Sequence, residues 1–259
     1  MLKMPGKPVV IIIPVYKQLL NDNELLSLKQ CIRILKNYPI IFIGPPNLNT
    51  SNYEQECKDK VPFKFMKFDD ACFSGINGYN KLMLSASFYK TFLEYKYMLI
   101  YQLDAYVFKD ELGYWCKQNY DYIGAPNIPH ANRDDEIHFL KRYEKFIAFA
   151  NRLLKTDHQI SNVGNGGFSL RKINTCYWLL KILNKKAKNW GNNNEDGFFK
   201  YWGNLLYPLF KLPTDETALH FSIEVSPRES YAKIGHVLPF GCHAFERYEP
   251  EFWEQYIRN

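Results

Sequence analysis

Four features of this chain have residue types suited to chemistry on a phosphate or a sugar. Asp104 closes the apolar part of YMLIYQLDAYVF, residues 97–108. One carboxylate at the end of a buried strand holds a metal or touches a substrate, or else it serves a turn. The triplet Asn165–Gly166–Gly167 leads into Phe168 and Ser169. Glycines let a backbone approach a ligand and adopt positive φ, and they also build plain tight turns. Glu195–Asp196 follows Asn192, Asn193 and Asn194. Acids at a helix start cap free N–H groups and complement the dipole. A carboxylate can also take the proton of a sugar hydroxyl as that proton becomes acidic in the transition state. His243 stands in PFGCHAF. A lone histidine is commonly a surface or core residue, but a neutral imidazole beside a carboxylate is a good Mn²⁺ ligand.

Two nucleotide-binding signatures are missing from the sequence. No GxGxxG follows the first apolar run, and no GxxxxGK[ST] occurs. Dinucleotide-type and P-loop phosphate binding are thereby excluded.

The four features need a scaffold that gathers them on one edge. Val9–Pro14 reads as a first buried strand, followed by a helix over about Glu24–Lys36 that Asp22 would cap. A strand over Ile40–Ile43 ends at Gly44–Pro45–Pro46, and another covers Phe63–Phe68. A loop with Gly75 and Gly78 precedes a helix to about Phe92, then the strand Tyr97–Leu103. Strands alternating with helices at these lengths imply βαβ crossovers and a mostly parallel sheet. Ligands bind such sheets outside the carboxyl ends of the strands, where Asp104 would stand.

The second half is less regular. Tyr120–Ala125 is a short strand ending before Pro126. Residues 130–158 are charged and helical in pattern, and Phe139, Tyr143, Phe146 and Phe149 recur at helical spacing. That stripe predicts a core-facing surface, with an acceptor or membrane groove as the alternative. Gly164–Arg171 is a glycine loop entering a strand, Thr175–Asn184 a helix, and 192–202 a polar loop opening a helix. A strand or two follow Leu219, then an amphipathic helix Pro250–Ile257. No internal repeat or low-complexity linker divides the chain. A single domain over 1–259 is expected, with a nucleotide-binding half at 1–110 and an acceptor and catalytic half at 111–259.

Composition narrows the function classes. No stretch approaches ~20 uninterrupted apolar residues, so no transmembrane helix is expected. Val9–Ile13 is too short and too β-branched for a signal-peptide core, and it ends in Pro14. The six cysteines form no CxxC pair, which argues against a zinc ribbon or redox motif and for reduced thiols. The net charge of +6 is spread without a basic block, which disfavours nucleic-acid binding and leaves weak attraction to anionic headgroups open.

The order of the motifs is more specific than any one of them. The chain resembles GT-A-type nucleotide-sugar glycosyltransferases, and more narrowly the family catalogued as DUF5672. The narrower resemblance rests on YQLDAYVFKDEL, YDYIGAP, VGNGGFSLRK and NNNEDGFF, and it spans about Val9–Phe245. It implies an α/β, GT-A-like (Rossmann-like) single domain with a central mostly parallel sheet flanked by helices. It implies an inverting transferase that moves a hexose from a nucleoside-diphosphate sugar, UDP-linked above all, to a glycan or lipid-linked hydroxyl.

By the same resemblance, Asp196 is the catalytic base with Glu195 beside it. Asp104 is the first acid of the family's DxD and holds a divalent cation, Mn²⁺ or Mg²⁺, with His243. Pro14, Val15, Tyr16, Asn80, Lys81, Asp104, Ala105, Tyr106, Gly166 and Gly167 contact the donor, with Tyr16 stacking on or flanking uracil. The second acid position of the DxD is Tyr106, so the motif reads Asp-Ala-Tyr. Arg171, Arg228 and Lys233 are cations that could assist a weakened metal site. The implied setting is cytoplasmic, at cell-surface glycan assembly on the inner membrane face. Three other readings stay open on the residues: a catalytically weak nucleotide-sugar-binding protein, a carboxylate-based glycan hydrolase, and a carbohydrate-binding module using surface aromatics.

Overall fold

The computed structural model describes residues 7–127, 138–190 and 194–257, with the backbone alone for Lys7 and residues 138–145. Its main sheet is built from β1 (Lys7–Pro14), β2 (Ile40–Gly44), β3 (Phe63–Lys67), β4 (Tyr95–Tyr101), β6 (Tyr122–Ile123) and β7 (Phe168–Lys172). The spatial order is β3-β2-β1-β4-β7-β6. β3, β2, β1 and β4 run parallel, and β7 pairs antiparallel with both β4 and β6. This is the mostly parallel, helix-flanked sheet that the alternation implied.

The period of two along β1 explains its central place. Ile11 and Ile13 enter one core cluster, and Val10 and Ile12 enter the other. All four are fully buried, so both faces of the strand are covered. β4 divides the same way: Tyr97, Leu99 and Tyr101 face one side, Met98 and Ile100 the other.

A second sheet of three short strands stands beside the carboxyl edge of the first. It comprises β5 (Ala105–Val107), β8 (Ser222–Ile223) and β9 (Gly241–His243), in the order β5-β9-β8. Helix Asp22–Ile34 secures β5: Ser27 Oγ donates to the Ala105 carbonyl, and Gln30 Nε2 to the Val107 carbonyl (2.7 Å). The run 97–108 is therefore not one strand. β4 stops at Tyr101, the chain turns through Asp104, and β5 joins the other sheet.

Several local expectations are corrected. Asn21, not Asp22, caps the first helix, because its side chain and that of Glu24 form a reciprocal capping box (2.8 and 2.9 Å). The helix expected over Tyr79–Phe92 is two, Ile76–Met83 and Ala86–Thr91, broken around Ser85. In the 130–158 segment, residues 130–137 lie outside the described residues, and a helix covers His138–Leu154. Its Phe146 and Phe149 are 53% and 63% exposed, while Ile147 is buried. The aromatic stripe is thus not core-facing where it can be described; Ile147 is the residue turned inward. Phe139 and Tyr143 fall among the residues described by backbone only.

Among the described residues no helix is long and apolar enough to cross a membrane. None of the six cysteines is in a disulfide.

Candidate active site

Strand register brings distant residues together. β5 and β9 pair so that Ala105 stands opposite His243, which sets Asp104 beside the imidazole. β8 and β9 pair with Ile223 opposite Cys242, which brings the next residue, Glu224, to the other side of that ring. His243 Nε2 lies 3.1 Å from Asp104 Oδ1 and 3.4 Å from Gln102 Oε1, and its Nδ1 lies 3.0 Å from Glu224 Oε1. Burial alone would lower the pKa of His243. Hydrogen bonds and charge from Asp104 and Glu224 outweigh it and hold the ring at about 10. Burial would conversely raise Asp104, and His243 brings it below its ordinary value.

The glycine loop reaches the same place for a topological reason. β7 is antiparallel to β4, so the loop before β7 sits at the carboxyl end of β4. Tyr101 pairs with Phe168, and Gln102 N–H donates to the Gly167 carbonyl (2.8 Å). The left-handed residue in the loop is Asn165 (φ 61°), not a glycine. The glycines matter for close approach instead. A Cβ on Gly167 would lie 2.1 Å from His243 Nε2, and one on Gly166 would lie 2.2 Å from Glu195 Oε1.

Helix Glu195–Leu205 aims its N-terminus at this loop. Asp196 accepts through Oδ2 from Asn165 N–H (2.7 Å) and through Oδ1 from Gly197 N–H (2.9 Å). Glu195 is buried and ion-paired with Arg171, itself wholly buried. Arg171 also donates to the Tyr89 hydroxyl (2.9 Å), Ser169 Oγ (3.0 Å) and the Gly166 carbonyl (3.2 Å). Its guanidinium lies 5.2 Å from the Tyr122 ring centre and 5.4 Å from that of Phe199. Burial raises the Glu195 carboxyl above its ordinary value, and Arg171 opposes that shift.

The strand-end groups, the loop and the acid pair open on one cleft of about 1020 Å³, while Arg171 stays behind them. Pro14, Val15, Tyr16, Asn80, Asp104, Gly166, Gly167, Glu195, Asp196 and His243 line it. The remaining expected donor contacts lie elsewhere. Ala105 and Tyr106 are buried, and Tyr106 packs on Phe108 and Phe245, because β5 turns it into the core of the small sheet. Lys81 lies on the exposed side of its helix. Arg228 and Lys233 are exposed and paired with Glu249 and Glu229, away from the cleft. Sequence reasoning missed Gln102, Glu224, Asn127, Asn162 and Lys200, of which all line the cleft. Gln102 was within reach as the polar residue two before Asp104; Glu224 carried no local signal. Among the described residues, no group of three or more His, Cys, Asp or Glu side chains is gathered as a metal site.

The family described as "Protein of unknown function (DUF5672)" matches residues 62–243. A search of curated proteins returned no match. Solved structures that share the fold include three glycosyltransferases. Mouse xyloside xylosyltransferase 1 in its apo form superposes with TM-score 0.54 at 11% identity, covering 92% of this chain and 98% of that one. Apo GlyE, a glycosyltransferase of Streptococcus pneumoniae TIGR4, gives 0.53 at 10% identity over 97% of this chain and 60% of its own. The bifunctional glycosyltransferase WbbM in its apo form gives 0.53 at 13% identity over 98% and 50%. The chain thus spans 60% and 50% of the length of the latter two. At such identities the likeness is one of fold.

Proposed function

This chain belongs to the DUF5672 family, and from that premise we propose that it is a GT-A-type, inverting glycosyltransferase using a nucleoside-diphosphate hexose, UDP-linked in the first instance. The observation that carries the reading is the convergence of Asp104, His243 and Asp196 around one loop, Gly164–Gly167, in one large cleft. The fold shared with three glycosyltransferases supports it.

The residues around His243 fit a divalent cation. Glu224 holds Nδ1 and fixes the ring, and Nε2, which faces Asp104, would be the ligand atom once its proton is released and a cation takes the place of that contact. Asp104 and His243 would then hold Mn²⁺ or Mg²⁺, with diphosphate oxygens completing the shell, as is common for Mg²⁺ on one or two carboxylates. When bound, the cation supplies charge neutralisation to the departing diphosphate. Without it, the imidazole kept protonated by Asp104 and Glu224 is itself a cation at that spot.

The chain's own groups do the rest. Tyr16 is 62% exposed at the end of β1 and offers a face to the base. Asp196 accepts the proton of the acceptor hydroxyl, which attacks the anomeric carbon opposite the leaving diphosphate, giving inversion. The two N–H groups that bind Asp196 hold its carboxylate in one orientation, and each oxygen keeps a further lone pair for the acceptor proton. Glu195 cannot share that role while it is buried against Arg171; it braces the helix start and the loop. The acceptor is a glycan or lipid-linked hydroxyl, and the exposed Phe146 and Phe149 suit peripheral attachment near such an acceptor.

A thermal-shift screen of UDP-, GDP- and CMP-linked sugars with Mn²⁺ tests the reading. A rise in melting temperature with one nucleotide class, and turnover of that sugar, is the expected result. No shift with any nucleotide, together with cleavage of unactivated glycans, would replace it with the hydrolase.

A further inference from the structure

Asp196, Lys200 and Asn204 are spaced by four and share one face of helix Glu195–Leu205. Residues 161–165 run along that face in the opposite direction. Asp196 accepts from Asn165 N–H, and Asn204 Oδ1 accepts from Ser161 N–H (2.8 Å) while its Nδ2 donates to the Ser161 carbonyl (2.9 Å). Lys200 therefore lies between them, one turn beyond Asp196. The loop's other contacts run the opposite way: Gly166 meets Glu195 and Gly167 meets His243. Lys200 is thus on the side of Asp196 away from His243 and the expected diphosphate.

Lys200 is 8% exposed and lines the cleft. Among the described residues its ammonium has no hydrogen-bond or ion-pair partner; only its backbone carbonyl is used, by Asn204 Nδ2 (2.8 Å). The nearby acids are engaged elsewhere. Both oxygens of Asp196 accept backbone N–H groups, and Asp215 accepts from Asn162 N–H and Nδ2 (2.7 and 2.8 Å). The other lysine of the cleft, Lys17, is spoken for by Glu24 at 2.7 Å. The stem is buried, but the ammonium is not among the fully enclosed polar atoms, so it presents an unneutralised charge to the cleft, where an anion would pair with it.

We propose that Lys200 binds an anionic group, a carboxylate or a phosphate, carried by the acceptor, so that the acceptor is an acidic sugar or a sugar phosphate rather than a neutral glycan. The proposal rests on the transferase reading for the word acceptor, but the site itself stands on burial and geometry. Asn127 and Asn162, which line the cleft on the same side, are suited to hydrogen-bond the sugar hydroxyls.

The test is thermal shift and calorimetric titration of the full chain with glucuronate, glucose 6-phosphate and glucose. UDP and Mn²⁺ are present at saturation so that the donor end is filled. Glucuronate or glucose 6-phosphate should stabilise the protein where glucose does not, and the two arms tell carboxylate from phosphate. Lys200→Gln should weaken that anion by about tenfold or more, as loss of a charged hydrogen bond does, and Lys200→Arg should retain it. UDP affinity should stay the same in both variants, which also verifies that they fold. The proposal is overturned if neither anion binds better than glucose, if Lys200→Gln binds the anion as well as the parent does, or if Lys200→Gln weakens UDP itself. If neither UDP, GDP nor CMP binds the parent protein, the transferase reading falls, and the same anion titrations without nucleotide still decide Lys200.

Discussion

The two ends of the cleft are built on opposite principles. At the proposed donor end, strand pairing in the small sheet delivers Asp104, His243 and Glu224, and the side chains are polar, partly open and bonded to one another. At the proposed base end, one helix start and one loop are locked by a buried Arg171–Glu195 pair and by backbone N–H groups on Asp196. Side chains gathered by register can be exchanged without disturbing the fold, because the backbone ladder holds them in place. Those that hold a loop by a buried charge cannot be exchanged so freely, because the partner left behind is stranded.

The comparison is sharpened first by Asp196→Asn, which keeps the size and one carbonyl acceptor but removes the base. Turnover should fall by about 10²–10⁴-fold while nucleotide affinity persists. A variant with near-parental turnover would strip Asp196 of its role. Second, Arg171→Met should lower folding stability by about 3–5 kcal/mol in urea denaturation, since Glu195 is left buried and uncompensated. Pairing it with Glu195→Gln should recover much of that loss. If the single change costs under about 1 kcal/mol, the base end is not held by charge, and the contrast between the two ends disappears.

At the donor end the effects should appear in ligands rather than in stability. Glu224→Gln should weaken Mn²⁺ by about 10–100-fold in a calorimetric titration, because it loosens the ring it orients. Gly167→Ala should do the same by pushing on His243 Nε2, only 2.1 Å from the added carbon. Unchanged Mn²⁺ affinity in both would detach the cation from His243. Smallest, Tyr16→Ala should cost about 1 kcal/mol of nucleotide binding, read as a fewfold higher Kd and no change in melting temperature without ligand.

The pattern of legibility follows the same division. β1 and β4 were readable because burial on both faces leaves an unbroken apolar run, and a run needs no partner to be recognised. Asp104, the Gly166–Gly167 pair and Glu195–Asp196 were readable because each abuts such a run or a helix start. The break at Ser85 was not, since the apolar spacing continues across it. Tyr106 looked like a lost acid in a motif, yet β5 turns it into the small core. Arg171 looked like a spare cation, yet it is the brace of the loop.

The sequence by itself determined the layered sheet and the edge on which the acids stand, because a period of two and the helix-strand alternation are local properties of the chain. Only the tertiary structure decided that His243 meets Asp104 and that Glu224 holds the ring. Those facts depend on the register of two- and three-residue strands far apart in the chain, and strands so short carry no periodicity from which their pairing could be read.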